Sequence, residues 1–184
     1  MATKVTDGKT DLEKLPTIWC CGQAMPKEPQ MSVSPIPSHY SVIMPYLIVR
    51  NAAEALEFYQ RAFNGEETMR LAQPGGLIGH AEIVIDGFTI MLADEYPDMG
   101  AVGPETFGGS GVSLTLYVED VDARFNQAIE AGATELRPVA DQFYGDRAGT
   151  LKDPFGHVWT IMSRIEDLSV EEIEKRMVEA AEQN

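Results

Sequence analysis

Leu47-Ile48-Val49-Arg50-Asn51 leads into Ala52–Phe63, and Leu116-Tyr117-Val118-Glu119-Asp120 leads into Val121–Ala131, so one short pattern is written twice in this chain. Each copy reads as an apolar strand followed by an amphipathic helix. Each then runs on through strand-like residues, ending at Met91-Leu92-Ala93-Asp94 and at Trp159-Thr160-Ile161-Met162. Placing Val49 on Val118 puts Asn51 on Asp120, Leu56 on Phe125, Ile90 on Trp159 and Met91 on Thr160. The repeat predicts an α+β fold: two tandem βαβββ units forming curved mixed sheets around a cleft. Function is expected in that cleft.

Working outward, residues 1–40 form a separate arm. Pro16, Pro26, Pro29, Pro35 and Pro37 block helices and central strands, so the arm is expected to be extended or disordered. The first unit covers 41–95, a Gly/Pro linker 96–111, the second unit 112–164 and a C-terminal helix 165–184. In the first unit Asn51 is placed to cap the helix. Ala55, Leu56, Tyr59 and Phe63 mark its buried face, and Asn64-Gly65 its end. Asp86-Gly87 is a two-residue hairpin signal, and Asp153-Pro154-Phe155-Gly156 a turn. The linker reads as flexible. Ser169 with Glu172 fits a capping box at the last helix.

The chain has 184 residues, 44% of them hydrophobic, and a formal net charge of −15. That acidity argues against nucleic acid and anionic membranes, both of which need a basic footprint. It suits a cationic ligand if the charge gathers near the cleft. No apolar run approaches the roughly 20 residues of a membrane span. The N-terminus lacks the apolar core of a signal peptide. The two cysteines, Cys20 and Cys21, are neighbours, a strained geometry for a disulfide. A cytoplasmic location follows as the expectation. There is no phosphate loop and no Gly-x-Ser-x-Gly elbow.

The paired units, Val-x-Asn/Asp before each helix, Phe58-Tyr59 in the first helix and Asp153-Pro154-Phe155-Gly156-His157 before the last strand resemble the vicinal-oxygen-chelate superfamily. That group holds glyoxalase I, extradiol dioxygenases, fosfomycin-resistance enzymes and bleomycin-binding proteins. Gly79-His80-Ala81-Glu82-Ile83, Leu92-Ala93-Asp94-Glu95, Tyr117–Asp122 and Gln142–Arg147 are similar to its PhnB-like branch. The resemblance covers about residues 42–164.

The resemblance implies four metal-ligand positions, one on the first and one on the last strand of each unit. They fall at Met44, Met91, Ser113 and Thr160. Thioethers and neutral hydroxyls are poor ligands for the hard or borderline divalent ions of the family. No cofactor is therefore expected. By parity with those positions the cleft is lined by Met44, Tyr46, Met91, Ser113, Thr115 and Thr160, with Phe143, Tyr144 and Arg147 at its mouth. The first reading is a homodimeric protein binding a small cationic or aromatic molecule. The alternative is a lyase or isomerase of the glyoxalase type. It would use His80 and Glu82, two apart on one strand face, with or without a relocated divalent metal. Otherwise the pair lies on a strand face exposed to solvent or makes a satisfied His–Glu hydrogen bond. His157 reads as a structural brace of its turn, and His39 lies in the arm without visible partners.

Overall fold

The computed structural model describes residues 34–182. Most of the arm, with Cys20 and Cys21, lies outside the described residues. The first unit runs β1 (Tyr46–Val49), α1 (Ala52–Phe63), β2 (Glu66–Ala72), β3 (Ile78–Ile85) and β4 (Phe88–Asp94). After the connecting α2 (Pro104–Phe107) the second runs β5 (Ser113–Tyr117), α3 (Val121–Ala131), β6 (Thr134–Asp141), β7 (Asp146–Lys152) and β8 (Val158–Arg164). A last helix, α4, spans Val170–Glu182.

Each unit folds into its own four-stranded sheet, ordered β1-β4-β3-β2 and β5-β8-β7-β6. The helical crossover lays the first strand parallel to the last, and the remaining pairs are antiparallel. The register carries the repeat to the single residue. Tyr46 pairs with Met91 in the first sheet and Thr115 with Thr160 in the second.

Local chemistry follows the sequence. Asn51 caps α1 through its side chain to Glu54 N, and Asp120 caps α3 to Ala123 N. Asn64 ends α1 in the left-handed region at φ 54°. Asp86 and Gly87 both take positive φ, 47° and 80°, as a type I′ hairpin demands. Ser169 Oγ accepts from Glu172 N at the start of α4.

The helix-facing side chains of both sheets share one core. Leu56, Phe58, Tyr59 and Phe63 of α1 are fully or almost fully buried. Phe63 lies 4.6 Å, centroid to centroid, from Trp159 on β8. The two helices join directly: Gln127 Nε2 donates to the Arg61 carbonyl (2.6 Å) and Arg124 to the Phe63 carbonyl (3.0 Å). Gly149 on β7 leaves room for Phe125, since a Cβ there would sit 2.7 Å from its ring. Both sheets thus turn their helix faces inward and their other faces away from this core.

Across the core sits Asp153, 2% exposed. Its Oδ2 accepts from Tyr59 Oη (2.8 Å) and Trp159 Nε1 (3.0 Å). Its Oδ1 accepts from the backbone N–H of Phe155 (3.0 Å) and His157 (2.8 Å). The His157 ring bridges the units again, Nε2 donating to the Ile48 carbonyl at 3.3 Å.

Part of the linker folds back on the first unit. Glu95 accepts from Gly103 N (2.8 Å), Thr106 Oγ1 (2.5 Å) and Arg50 Nε (3.2 Å), which folds residues 96–107 back on β1. The Thr106 hydrogen bond leads in holding the Glu95 carboxyl below the usual glutamate range, and it outweighs the opposing effect of burial.

Removing one partner of a buried, fully bonded carboxylate strands the others. Asp153→Ala is expected to cost about 3–5 kcal/mol, and Tyr59→Phe about 1–3 kcal/mol, in urea unfolding. A loss under about 1 kcal/mol for Asp153→Ala would refute the bridging role.

Candidate functional site

Strand alternation separates two faces in each sheet. In the first unit Leu47, Val49, Ala81, Ile83, Ile90 and Leu92 go to the core and are buried. Tyr46, His80, Glu82 and Met91 therefore share the opposite, open face. Cross-strand pairing sets Tyr46, Met91 and Glu82 side by side on β1, β4 and β3. Met44 precedes β1 and is partly exposed.

A hydrogen-bonded row crosses this face. Tyr46 Oη lies 3.0 Å from His80 Nδ1, and His80 Nε2 lies 3.3 Å from Glu82 Oε1. The Tyr40 hydroxyl, from the segment before β1, donates to the same Glu82 oxygen. An ionised carboxylate only accepts, so the network assigns a proton to His80 Nε2. The other ring nitrogen, Nδ1, faces the Tyr46 hydroxyl. Glu82 is 2% exposed and Tyr46 47% exposed, so the row runs from a buried charge to an accessible phenol.

Burial opposes the charge on Glu82. Hydrogen bonds from Tyr40 and His80, with the charges of His80 and His39, outweigh it and leave the carboxyl below the usual glutamate range. The hydrogen bond to Glu82 raises the Tyr40 phenol, and burial raises that of Tyr46, so both keep their protons.

Beside the row Tyr46, Ile48, Leu77, Ala93, Tyr96 and Met99 line a mainly apolar hollow of about 450 Å³. A larger hollow of about 650 Å³ lies between Asp86 and the start of α3. Its walls are polar, and its cation, Arg124, is already engaged by Asp86 (3.1 Å) and the Phe63 carbonyl. The first hollow fits a small organic ligand better, being apolar with a few convergent polar groups.

The second unit lacks the row. Ser113, Thr115 and Thr160 lie on its open face, and Thr160 Oγ1 is 3.4 Å from Thr150 Oγ1. The registers put Thr150 where the first unit has Glu82, and Ala148 where it has His80. The polar contact here is Tyr117 Oη to Asp146 Oδ2, 2.8 Å. Phe143 and Tyr144 occupy the β6–β7 turn edge to face, centroids 5.2 Å apart, with Phe143 37% exposed.

Arg147 is engaged by carboxylates of its own unit. Asp146, Ala148 and Thr150 take the open face, so Arg147 points to the helix side. There it binds Asp122 with two nitrogens (2.7 and 2.8 Å) and Asp141 with a third (2.7 Å). A guanidinium shared by two carboxylates is not free to meet a ligand at the mouth.

The family's metal does not fit the positions that resemble its ligands. Met44, Met91, Ser113 and Thr160 offer thioethers and neutral hydroxyls. Among the described residues no group of three His, Cys, Asp or Glu side chains is placed to hold an ion. His80 and Glu82 supply two donors, already bonded to each other.

The chain belongs to the Glyoxalase/Bleomycin resistance protein/Dioxygenase superfamily, whose sequence profile matches residues 37–161. It is 41% identical over 138 residues to an uncharacterized protein, Rv0887c, of Mycobacterium tuberculosis, covering 73% of this chain and 81% of that one. Its fold is similar to that of protein PA1353 from Pseudomonas aeruginosa: TM-score 0.55, 27% identity, 67% of this chain and 98% of that one. It is similar also to the PhnB protein from Bacillus cereus: TM-score 0.55, 21% identity, 67% of this chain and 99% of that one. The solved neighbours thus include the PhnB-like branch. No helix among the described residues is long and apolar enough to cross a membrane.

Glu82 gives a pH test. Its folded value is depressed, so its contribution to stability is complete above the unfolded glutamate value of about 4.3 and is lost as pH falls through the lower folded value. The stability gap between wild type and Glu82→Gln should be wide at pH 7 and shrink below about pH 4. A gap of constant size from neutral to acid pH would show that the carboxylate is not held ionised.

Proposed function

We propose that this protein binds a small, flat, largely apolar molecule, cationic or aromatic, on the open face of its first sheet, without a metal. The observation that carries the reading is the Tyr46–His80–Glu82 row lying beside the apolar hollow, with Tyr46 belonging to both. The hollow would take the body of the ligand, with Tyr46 and Tyr96 as aromatic walls and Met99 as an adaptable one. The Tyr46 hydroxyl would fix its orientation.

The protein acts as a homodimer in this reading. Both open faces point away from the shared core, so a cleft enclosing both takes a second copy. Apolar side chains flanking the edge strands, Val42 (88% exposed), Ile43 (83%) and Val112 (71%), support such a contact. Sedimentation velocity should give twice the chain mass at micromolar concentration.

A second reading is proton transfer on a carbon acid, a lyase- or isomerase-type reaction. It is favoured by the order phenol, imidazole, carboxylate, which lets a proton move between Tyr46 and His80 with Glu82 steadying the ring. Compounds that bind should then exchange an acidic C–H in D2O, and His80→Ala should abolish the exchange.

The binding reading is tested with a screen of aromatic compounds by thermal shift and NMR. Hits should perturb Tyr46 and Tyr96. Tyr46→Ala and Ala93→Leu, the latter filling the hollow, should each weaken them about tenfold or more. Hits that bind these variants as well as wild type place the site elsewhere.

A further inference from the structure

Glu82 is nearly sealed from water, yet its donors are a phenol and an imidazole rather than a lysine or arginine. A carboxylate is costly to bury unless hydrogen bonds or opposite charge compensate it. One of its two donors arrives on the Ile36–Tyr40 segment, whose residues 36–39 are exposed. This segment turns on itself, Tyr40 N to the Pro37 carbonyl (3.1 Å). It lies over the sheet with the His39 carbonyl accepting from Thr89 Oγ1 (3.3 Å). Beneath it is a hollow of about 370 Å³ with His39, Thr68, Met69, Glu82, Val84 and Thr89 in its walls. Glu82 is the one carboxylate in that lining, which contains no lysine or arginine.

We propose that Glu82 is the recognition group for an organic cation, a protonated amine or amidine on an apolar body, and that Tyr40 is a built-in plug which this cation displaces. The inference rests on the binding reading above in using the same open face, but it places the charged end of the ligand in this second hollow, at Glu82, rather than in the hollow beside Tyr46 and Tyr96. An ammonium donates to Glu82 Oε1 as the Tyr40 hydroxyl does, and brings the full positive charge that the phenol lacks. Met69 and Val84 give its apolar portion a wall. The plug keeps the carboxylate satisfied when the ligand is absent, and it reduces apparent affinity by the fraction of molecules in which it is seated.

The test titrates full-length protein with phenethylammonium and with its neutral counterpart, phenethyl alcohol, by calorimetry and NMR. Tyr40→Phe removes the plugging hydroxyl and keeps the ring. It should strengthen the ammonium about tenfold while leaving the alcohol unchanged. Thr89→Val, which loosens the segment without touching Glu82, should act in the same direction. Glu82→Gln should abolish the preference for the cation. Equal binding of cation and alcohol, a preference that survives Glu82→Gln, or no saturable binding of the ammonium to Tyr40→Phe overturns the proposal. If the alcohol binds and shifts Tyr46 while charge makes no difference, the binding reading stands and this inference alone fails.

Discussion

One carboxylate fixes how the two halves of this protein meet. Asp153 collects four donors, and they come from the first helix, the last strand and the turn between β7 and β8. Tyr59 belongs to one repeat and Asp153 to the other. The bond between them therefore does what apolar packing alone does not, which is to set one orientation of the units. Hydrophobic contact between Phe63 and Trp159 tolerates sliding, whereas a buried charge tolerates no misplaced donor. From that joint follows the inward direction of both helix faces, and from that the outward direction of both open faces.

The repeat then makes the two open faces comparable position by position, and they have diverged. Where the first sheet carries His80 and Glu82, the second carries Ala148 and Thr150. Where the superfamily resemblance calls for chelating residues, the chain has methionine, serine and threonine. The hydrogen-bonded row of the first face lies within one unit, crossing from Tyr46 on β1 to His80 and Glu82 on β3. Titratable groups on the first face are linked in a line, from Tyr46 through His80 to Glu82. On the second face a single phenol–carboxylate pair, Tyr117 and Asp146, stands beside the hydroxyls of Thr150 and Thr160.

Much of this was legible in the residues. Periodicity and turn chemistry gave both units, the capping residues Asn51 and Asp120, the Asp86-Gly87 hairpin and the end of α1. These are local signals, and local physics enforces them. The pairing of His80 with Glu82 was legible for the same reason, since two residues apart on a strand share a face. Tyr46 was placed in the site, but its bond to the His80 ring was not, because it depends on the register of β1 against β4 and β3. Tyr40 was missed altogether: it sits in a proline-rich stretch with no periodicity to give it a direction. Arg147 was placed at the mouth from the resemblance of its loop, and its ion pairs with Asp122 and Asp141 were not legible, because they depend on which side of β7 the side chain takes. The contacts that draw Gly103 and Thr106 back were not legible from the glycines and prolines of the linker, because their acceptor, Glu95, lies just before it, on the far side of the sequence boundary.

The central claim is that binding on the first sheet depends on hydrogen bonds and apolar walls and not on a chelated ion. The most direct measurement is metal content by elemental analysis of the purified full-length protein, followed by titration with zinc, nickel and manganese. The account predicts substoichiometric metal as isolated and no saturable one-to-one binding on titration. One ion per chain, retained through dialysis and lost in His80→Ala or Glu82→Gln, would contradict it and make the His80–Glu82 pair part of a relocated metal site.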